Sequence, residues 1–247
     1  MRFALFRRAA RDPAHLDVRH GHDTFRVILR RRATARRMTL RVSTATRDIV
    51  LTVPEHAELG AAIKFADAHG GWIAARLARV PERVAFVQGA FVPVRGVPHR
   101  IVHWSNVRGT TSSTAGPDGE PIIAVASEAP HVARRVKEFL QREARRDLGV
   151  AVKHYTEALG VPARRITVRD TKSRWGSCSA SGSLNFSWRL ILAPAFVLDY
   201  LAAHEVAHLK EMNHSHRFWR TVHKLCPRTE DAERWLKRHG SELHKFG

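Results

Sequence analysis

The segment from His204 to His214 constrains this chain more than any other part of it. His204 and His208 are four positions apart, so on a helix they lie about 40° apart on one face, where both imidazoles can reach one metal ion. Glu205 would lean toward the open side of that ion, where a carboxylate can take a proton from a bound water. The spacing therefore predicts a helix that carries two metal ligands and a general base.

A third ligand requires the helix to end. On a straight helix His214 would lie about 240° round from His208 and could not reach the same ion. We expect Asn213 to end the helix, because Asn tolerates the left-handed conformation, and Ser215 to cap a new helix that opens with His216. His214 then turns back at the corner as the third ligand, although the nearby imidazole of His216 leaves a second choice.

The surrounding residues favour one zinc ion. Apolar side chains dominate the segment, so its polar groups are expected on a buried helix, where they need partners. Three protein ligands and an open fourth position are typical of catalytic zinc, which lowers the pKa of its water toward ~7. The same residues could instead decorate a solvated helix face without any metal.

Motifs upstream of the histidines connect the chain to a known family. The patterns R-W-G-S-C from Arg174, N-x-x-W-R-L-I-L-A-P from Asn185, and R-F-W from Arg217 stand in order around H-E-x-x-H-L-K-x-M-N-H-S. Together they resemble the YgjP-like metallopeptidase family, which is allied to the SprT-like zinc peptidases, and the likeness runs from about residue 25 to the end. The resemblance implies a zincin-like catalytic domain with His204, His208 and His214 as zinc ligands and Glu205 as general base. His216 departs from the pattern, since relatives often carry proline there.

Hydrophobic patterning predicts an α+β chain in two parts. With 247 residues and 44% hydrophobic residues, the chain can bury a substantial core. Residues 1–130 are predicted to form a β-rich domain, with a helix at 61–77 weakened by two glycines, a loop at 106–121, and strands at 25–29, 38–42, 48–53, 84–87, 91–94 and 99–102. Residues 131–247 are predicted to form the catalytic domain, which opens with one long helix or two abutting helices that stop at Gly160.

The substrate-binding groups are expected near the predicted hairpin at 175–192. An edge strand within 182–188 could accept an extended peptide by adding its backbone to the sheet. Arg174, Trp175 and Ser177 are candidates to line that cleft, and His216 or Arg217 could donate a hydrogen bond to an oxyanion.

Charge keeps nucleic acid among the candidate partners. The chain has 42 Lys and Arg against 23 Asp and Glu, a formal net charge of +19, which attracts phosphate polymers, nucleotides and anionic surfaces. A genome rich in G and C would produce the same arginine bias without any such binding.

Three patterns favour a cytoplasmic location. The opening residues Met1–Arg8 are too short an apolar stretch for a secretory signal. The most apolar region, Leu190 to Leu209, is interrupted by Pro194 and by charged residues, which excludes a membrane span. Cys178 and Cys226 form no C-x-x-C pair, so reduced thiols are expected.

Zinc-assisted hydrolysis of a peptide or protein substrate is the function that these patterns favour. Two alternatives remain open at this point. A metal-dependent nucleotide phosphohydrolase would use the same site on a phosphoanhydride, and a nucleic-acid-associated protease or binding module would use the basic surface.

Overall fold

The computed structural model describes residues 12–44, 46–105 and 109–247, and it shows a mixed α/β chain. The chain forms two compact units, of which one ends at Pro81 and the other spans Glu82–Gly247. The sequence pattern predicted a division after residue 130. In the structure residues 91–126 belong with the later helices, because Val92, Ile101 and Ile123 share one hydrophobic core with Val136 and Leu140.

The first unit is a four-stranded sheet with two helices. Its strands lie in the order β1-β2-β4-β3, and only the β2/β4 pair is parallel. The predicted helix at 61–77 is divided at His69, next to Gly70, where an added Cβ would lie 3.0 Å from His20 Cβ. The elements are β1 (His15–His20), β2 (Asp23–Arg32), β3 (Thr39–Val42), β4 (Ile49–Pro54), α1 (Leu59–Ala68) and α2 (Gly70–Ala78).

The second unit begins with a sheet of the same topology. Its order is β5-β6-β8-β7, again with a single parallel pair in the middle. The strands are β5 (Phe91–Val94), β6 (Val97–Trp104), β7 (Ser112–Ala115) and β8 (Pro121–Ala126). Strand β7 lies within the predicted loop at 106–121. Residues 106–108 of that loop fall outside the described residues. The segment Met1–Arg8, considered above as a secretory signal, also falls outside them.

An ion-pair cluster connects this sheet to the long helix α3 (Val132–Leu159). Arg95, in the β5–β6 turn, has a positive φ of 54° and donates hydrogen bonds to Asp147 at 2.7 Å and to Glu143 at 2.8 Å. Helix α3 ends as the sequence predicted, at Gly160, whose φ of 68° is the left-handed conformation that glycine adopts without strain.

The remaining elements surround the histidine segment. They are β9 (Arg165–Arg169), β10 (Gly176–Cys178), β11 (Ser183–Ser187), α4 (Ala195–Ala207), α5 (His216–Leu225) and α6 (Thr229–His239), followed by a 3₁₀ turn (Gly240–Lys245). Most of α4 is buried, because its apolar residues face the core on every side. Among the described helices, none combines the length and apolarity that a bilayer span requires.

The three-stranded sheet beside α4 corrects one prediction. Its order is β10-β11-β9, so β11 is paired on both sides and is not the edge strand that residues 182–188 were predicted to supply. The edge that lies against α4 is β10, which contains Gly176 and Ser177. The strand order decides this point, because a central strand has already used both sets of backbone groups.

Candidate metal centre

Three histidine rings meet where α4 ends. One ligand nitrogen from each of His204, His208 and His214 lies within 4.8 Å of the others. The ring centroids are 5.0 Å apart for His204 and His208, 5.3 Å for His204 and His214, and 4.8 Å for His208 and His214. The structure therefore brings together the three side chains that the sequence predicted as metal ligands.

The corner that returns His214 differs in detail from the prediction. Helix α4 ends at Ala207, with His208 as its C-terminal cap, and Asn213 has no positive φ. The Asn213 side-chain oxygen instead accepts a hydrogen bond from the Ser215 backbone N–H at 3.2 Å. Ser215 does cap α5, since its hydroxyl accepts a hydrogen bond from the Phe218 N–H. A local turn rather than a left-handed residue reverses the chain.

The nitrogen positions fit a zinc ion. His204 Nε2 and His214 Nε2 are 3.3 Å apart, and two nitrogens bound at about 2.0–2.1 Å to one tetrahedral zinc ion would be separated by about 3.4 Å. The other ring nitrogens of two histidines have protein partners: His204 Nδ1 lies 3.2 Å from the Tyr200 hydroxyl, and His208 Nδ1 lies 3.0 Å from the Glu211 carbonyl oxygen. Three imidazoles are a ligand set that suits zinc.

The ring of Phe218 on α5 packs against all three histidine rings. Phe218 is fully buried and stacks on His208, with ring centroids 4.3 Å apart and planes at 25°. Its ring also meets the rings of His204 and His214 edge-on, at 4.9 Å and 4.8 Å. Packing against Phe218 thus holds all three imidazoles, in addition to the hydrogen bonds of His204 and His208.

Glu205 lies beside the histidines in a buried position. Its side chain is enclosed, with 4% of the residue exposed, and its Oε2 has no hydrogen-bond partner in the described part of the chain. Burial raises the pKa of Glu205 to about 7, against the opposing charge of Arg174. Burial lowers the pKa of His204 to about 4, assisted by the two neighbouring imidazoles. A buried carboxyl group of this kind can gain and lose a proton near neutral pH.

The backbone at Gly176 makes room for this carboxyl group. A Cβ at that position would lie 2.7 Å from Glu205 Cγ and 2.8 Å from its Cδ. Only a glycine lets strand β10 approach α4 so closely.

A cavity of about 350 Å³ opens over the histidines and Glu205, and its other lining residues are Arg174, Gly176, Ser177, Cys178 and Met212. A larger cavity of about 580 Å³ lies elsewhere in the unit, between α3 and the start of α4, and its lining includes none of the clustered histidines. The chemistry therefore points to the smaller cavity.

The predicted substrate-binding residues divide into two groups. Arg174 and Ser177 line the cavity. Trp175 instead stacks on His244, with ring centroids 5.0 Å apart, and packs against the hydrophobic core. His216 and Arg217 are exposed on α5 and lie outside the lining, and His216 is no member of the histidine cluster.

Sequence reasoning missed several residues of the site. Tyr200 stands four residues before His204, a helical spacing that could have placed it beside that ring. Phe218 and Gly176 belonged to the motifs, but no local pattern indicates that one lies under the imidazoles and the other against Glu205.

The chain matches one family model and is similar to a solved structure. The family model described as YgjP-like, metallopeptidase domain, matches residues 36–239. Among solved structures, the chain is similar to the crystal structure of the metallopeptidase zymogen of Pyrococcus abyssi abylysin, with 24% identity over 37% of this chain and 93% of that chain. The TM-score of 0.34 is too low to establish a shared fold. The search of curated proteins found no match. Because the family model covers most of its length, the chain belongs to the YgjP-like metallopeptidase family.

Proposed function

We propose that the protein is a zinc-dependent peptidase with a zincin-like site, in which His204, His208 and His214 hold one zinc ion and Glu205 is the general base. The observation that carries the proposal is the cluster of three imidazoles whose ligand nitrogens lie within 4.8 Å of one another. The buried Glu205 beside that cluster supports it. The family adds the reaction class, hydrolysis of peptide bonds.

Zinc in such a site supplies a Lewis acid and makes a water molecule far more acidic. Glu205 performs the proton transfers in our proposal. Its carboxylate accepts the proton of the attacking water and later delivers it to the amine that leaves. Burial raises the pKa of this carboxyl group above its ordinary value in the metal-free protein, which strengthens it as a base.

We assign substrate binding to the edge of β10. Within the described residues, no strand pairs with the outer edge of β10, and the cavity runs along Gly176, Ser177 and Cys178. An extended peptide that adds to this edge would carry its backbone past Glu205. Arg174, whose charge acts on Glu205, is the cationic side chain that we assign to the substrate carbonyl oxygen.

The cavity favours a peptide over a nucleotide. Arg174 is the one Lys or Arg among its lining residues, whereas a polyphosphate is usually held by several cationic groups and backbone amides. The nucleotide and nucleic-acid alternatives therefore have no support from the site, and the net charge alone is their basis.

The cytoplasmic location and the catalytic domain at 131–247 remain predictions.

Metal analysis and peptide cleavage test the proposal together. Purified protein is expected to hold one zinc per chain, which His204→Ala, His208→Ala and His214→Ala should each lose and which His216→Ala should keep. Glu205→Gln should keep its zinc and lower cleavage of quenched fluorogenic peptides by about 10²–10⁴-fold.

Two results would overturn the proposal. Zinc lost from His216→Ala but kept by His214→Ala would show that the wrong corner residue was assigned. Glu205-dependent release of phosphate from ATP, with no peptide cleavage, would assign the site to phosphoanhydrides.

A further inference from the structure

The hydroxyl of Tyr200 connects helix α6 to the histidine cluster. Tyr200 lies one turn before His204 on α4 and is 4% exposed. Its hydroxyl oxygen lies 3.2 Å from His204 Nδ1 and 2.9 Å from Oε1 of Glu233 on α6. A carboxylate and an imidazole thus share one buried hydroxyl.

The chemistry of these three groups fixes where the protons lie. An ionised carboxylate can only accept, so the single hydroxyl proton of Tyr200 is donated to Glu233. The hydroxyl oxygen is then left to accept from His204, which requires a proton on Nδ1. His204 Nε2 consequently keeps its lone pair, and this is the atom that lies 3.3 Å from His214 Nε2.

The surroundings of Tyr200 keep its hydroxyl protonated. Burial raises the pKa of this phenol far above its ordinary value, and the negative charge of Glu233 raises it further. A tyrosine hydroxyl is protonated at neutral pH even at its ordinary pKa of about 10, so it has one proton to donate.

His204 differs in this respect from His208. The Nδ1 atom of His208 lies 3.0 Å from the backbone carbonyl oxygen of Glu211, a partner that only accepts and that no side-chain substitution removes. The partner of His204 is a hydroxyl group, which can either donate or accept. The Tyr200 hydroxyl thus determines which ring nitrogen of His204 carries the proton. Glu233 in turn determines the direction in which that hydroxyl donates its hydrogen bond.

We propose that Tyr200 and Glu233 are positioning residues that hold His204 in the tautomer and orientation that bind the metal. The inference rests on the proposed metal site and extends it to a carboxylate on another helix. Without Glu233, the Tyr200 hydroxyl could donate to Nδ1 and move the ring proton to Nε2, the ligand atom. Partners of this kind contribute about 10–100-fold to metal affinity in other proteins.

Zinc affinity of the full chain tests the inference without any need for activity. Apoprotein is titrated with zinc against a chromophoric chelator at pH 7, for the wild type and for Tyr200→Phe, Glu233→Ala and the double variant. We expect each single variant to weaken zinc binding by about 10–100-fold. The double variant should be no weaker than Tyr200→Phe, because Glu233 acts only through that hydroxyl.

Two variants are matched controls. Tyr155→Phe removes another buried hydroxyl that donates to a carboxylate, that of Asp199 at 2.6 Å, and Tyr155 is no part of the histidine cluster. Glu230→Ala removes an exposed acid from the same helix α6. Both are expected to bind zinc within about twofold of the wild type. Nitrogen-15 NMR of the apoprotein imidazoles gives an independent readout, in which Glu233→Ala should shift the His204 proton from Nδ1 toward Nε2.

The outcomes separate this inference from the proposed function. A wild-type protein that binds no zinc would refute the metal site and, with it, the positioning roles. A wild type that binds zinc while Tyr200→Phe binds equally well would refute the positioning roles alone. A loss in Tyr200→Phe that Tyr155→Phe reproduces, or a double variant whose losses add, would also overturn them, because general helix stability or separate actions would then explain the data.

Discussion

Replacing Gly176 by alanine is the sharpest perturbation that the structure offers. The new methyl group would point at Glu205, the proposed general base, and its three nearest atoms all belong to that side chain. The variant should therefore separate proton transfer from metal binding. Few single substitutions can move a buried carboxyl group while leaving its own chemistry intact.

The size of the effect follows from the contact distances. The Cβ would lie 2.7 Å from Glu205 Cγ and closer still to Glu205 Oε1, whereas ordinary contact begins at 3.4 Å, so the side chain must withdraw by at least about 0.7 Å. Misplacing a catalytic group by about 1 Å reduces rates by on the order of 10²-fold. We expect kcat/KM to fall by about that factor, which corresponds to about 2.7 kcal/mol of transition-state stabilisation. Overpacking should lower the free energy of unfolding by about 1 kcal/mol, near the lower limit for such changes, because Glu205 has a flexible side chain.

Peptide cleavage and zinc content are measured on the same preparations. Gly149→Ala is the matched control, because its methyl group on helix α3 would meet no atom within 4 Å. That variant should keep wild-type activity and gain up to about 1 kcal/mol of stability. If Gly176→Ala contains full zinc and cleaves peptides within about threefold of the wild-type rate, Glu205 does not act from its position in the structure.

Three further predictions concern the stability of the fold. Phe218→Ala should lower the free energy of unfolding of the apoprotein by about 3–5 kcal/mol and weaken zinc binding, because the fully buried ring stacks on His208; a loss below about 1 kcal/mol in urea denaturation would contradict this. Ser215→Ala should remove about 1 kcal/mol in the same assay, since it deletes the cap of α5, and an unchanged midpoint would refute that role. Burial raises the pKa of Asp170, but hydrogen bonds and charge from Arg189 outweigh it, so the native pKa lies below its usual value. The ion pair between Arg189 and Asp170 adds its full stability above about pH 4, the ordinary pKa of an aspartate. That stability is lost as the pH falls through the lower pKa of Asp170 in the native protein. The gap in unfolding free energy between the wild type and Asp170→Asn should therefore shrink in acid, and a gap that stays constant from pH 7 to pH 2 would exclude the ion pair as its source.

Features that depend on neighbouring residues were predictable. The helical spacing of His204 and His208 needs only the pitch of an α-helix, and the end of α3 at Gly160 needs only the freedom of glycine at positive φ. The capping role of Ser215 is equally local. Asn213 was predicted to end the helix in a left-handed conformation, yet α4 already ends at Ala207 and the Asn213 side chain builds a turn before Ser215.

Features that depend on distant packing were not predictable. The hydrophobic pattern of a strand shows which residues it buries, but it does not show where the strand lies in the sheet. The sequence therefore could not show that β10, and not β11, is the edge strand. The sequence also could not show that Trp175 stacks on His244 and is not among the residues that line the cavity.

Spacing along the chain was thus sufficient to identify three imidazoles and one carboxyl group as the candidate site, because a helix and one turn place them within a few ångströms. Long-range packing selected their partners: Glu233 reaches His204 through Tyr200 from another helix, and Gly176 reaches Glu205 from a strand. Such contacts join residues far apart in the chain, where neither periodicity nor capping carries information, so only the folded arrangement of α4, α6 and β10 could reveal them.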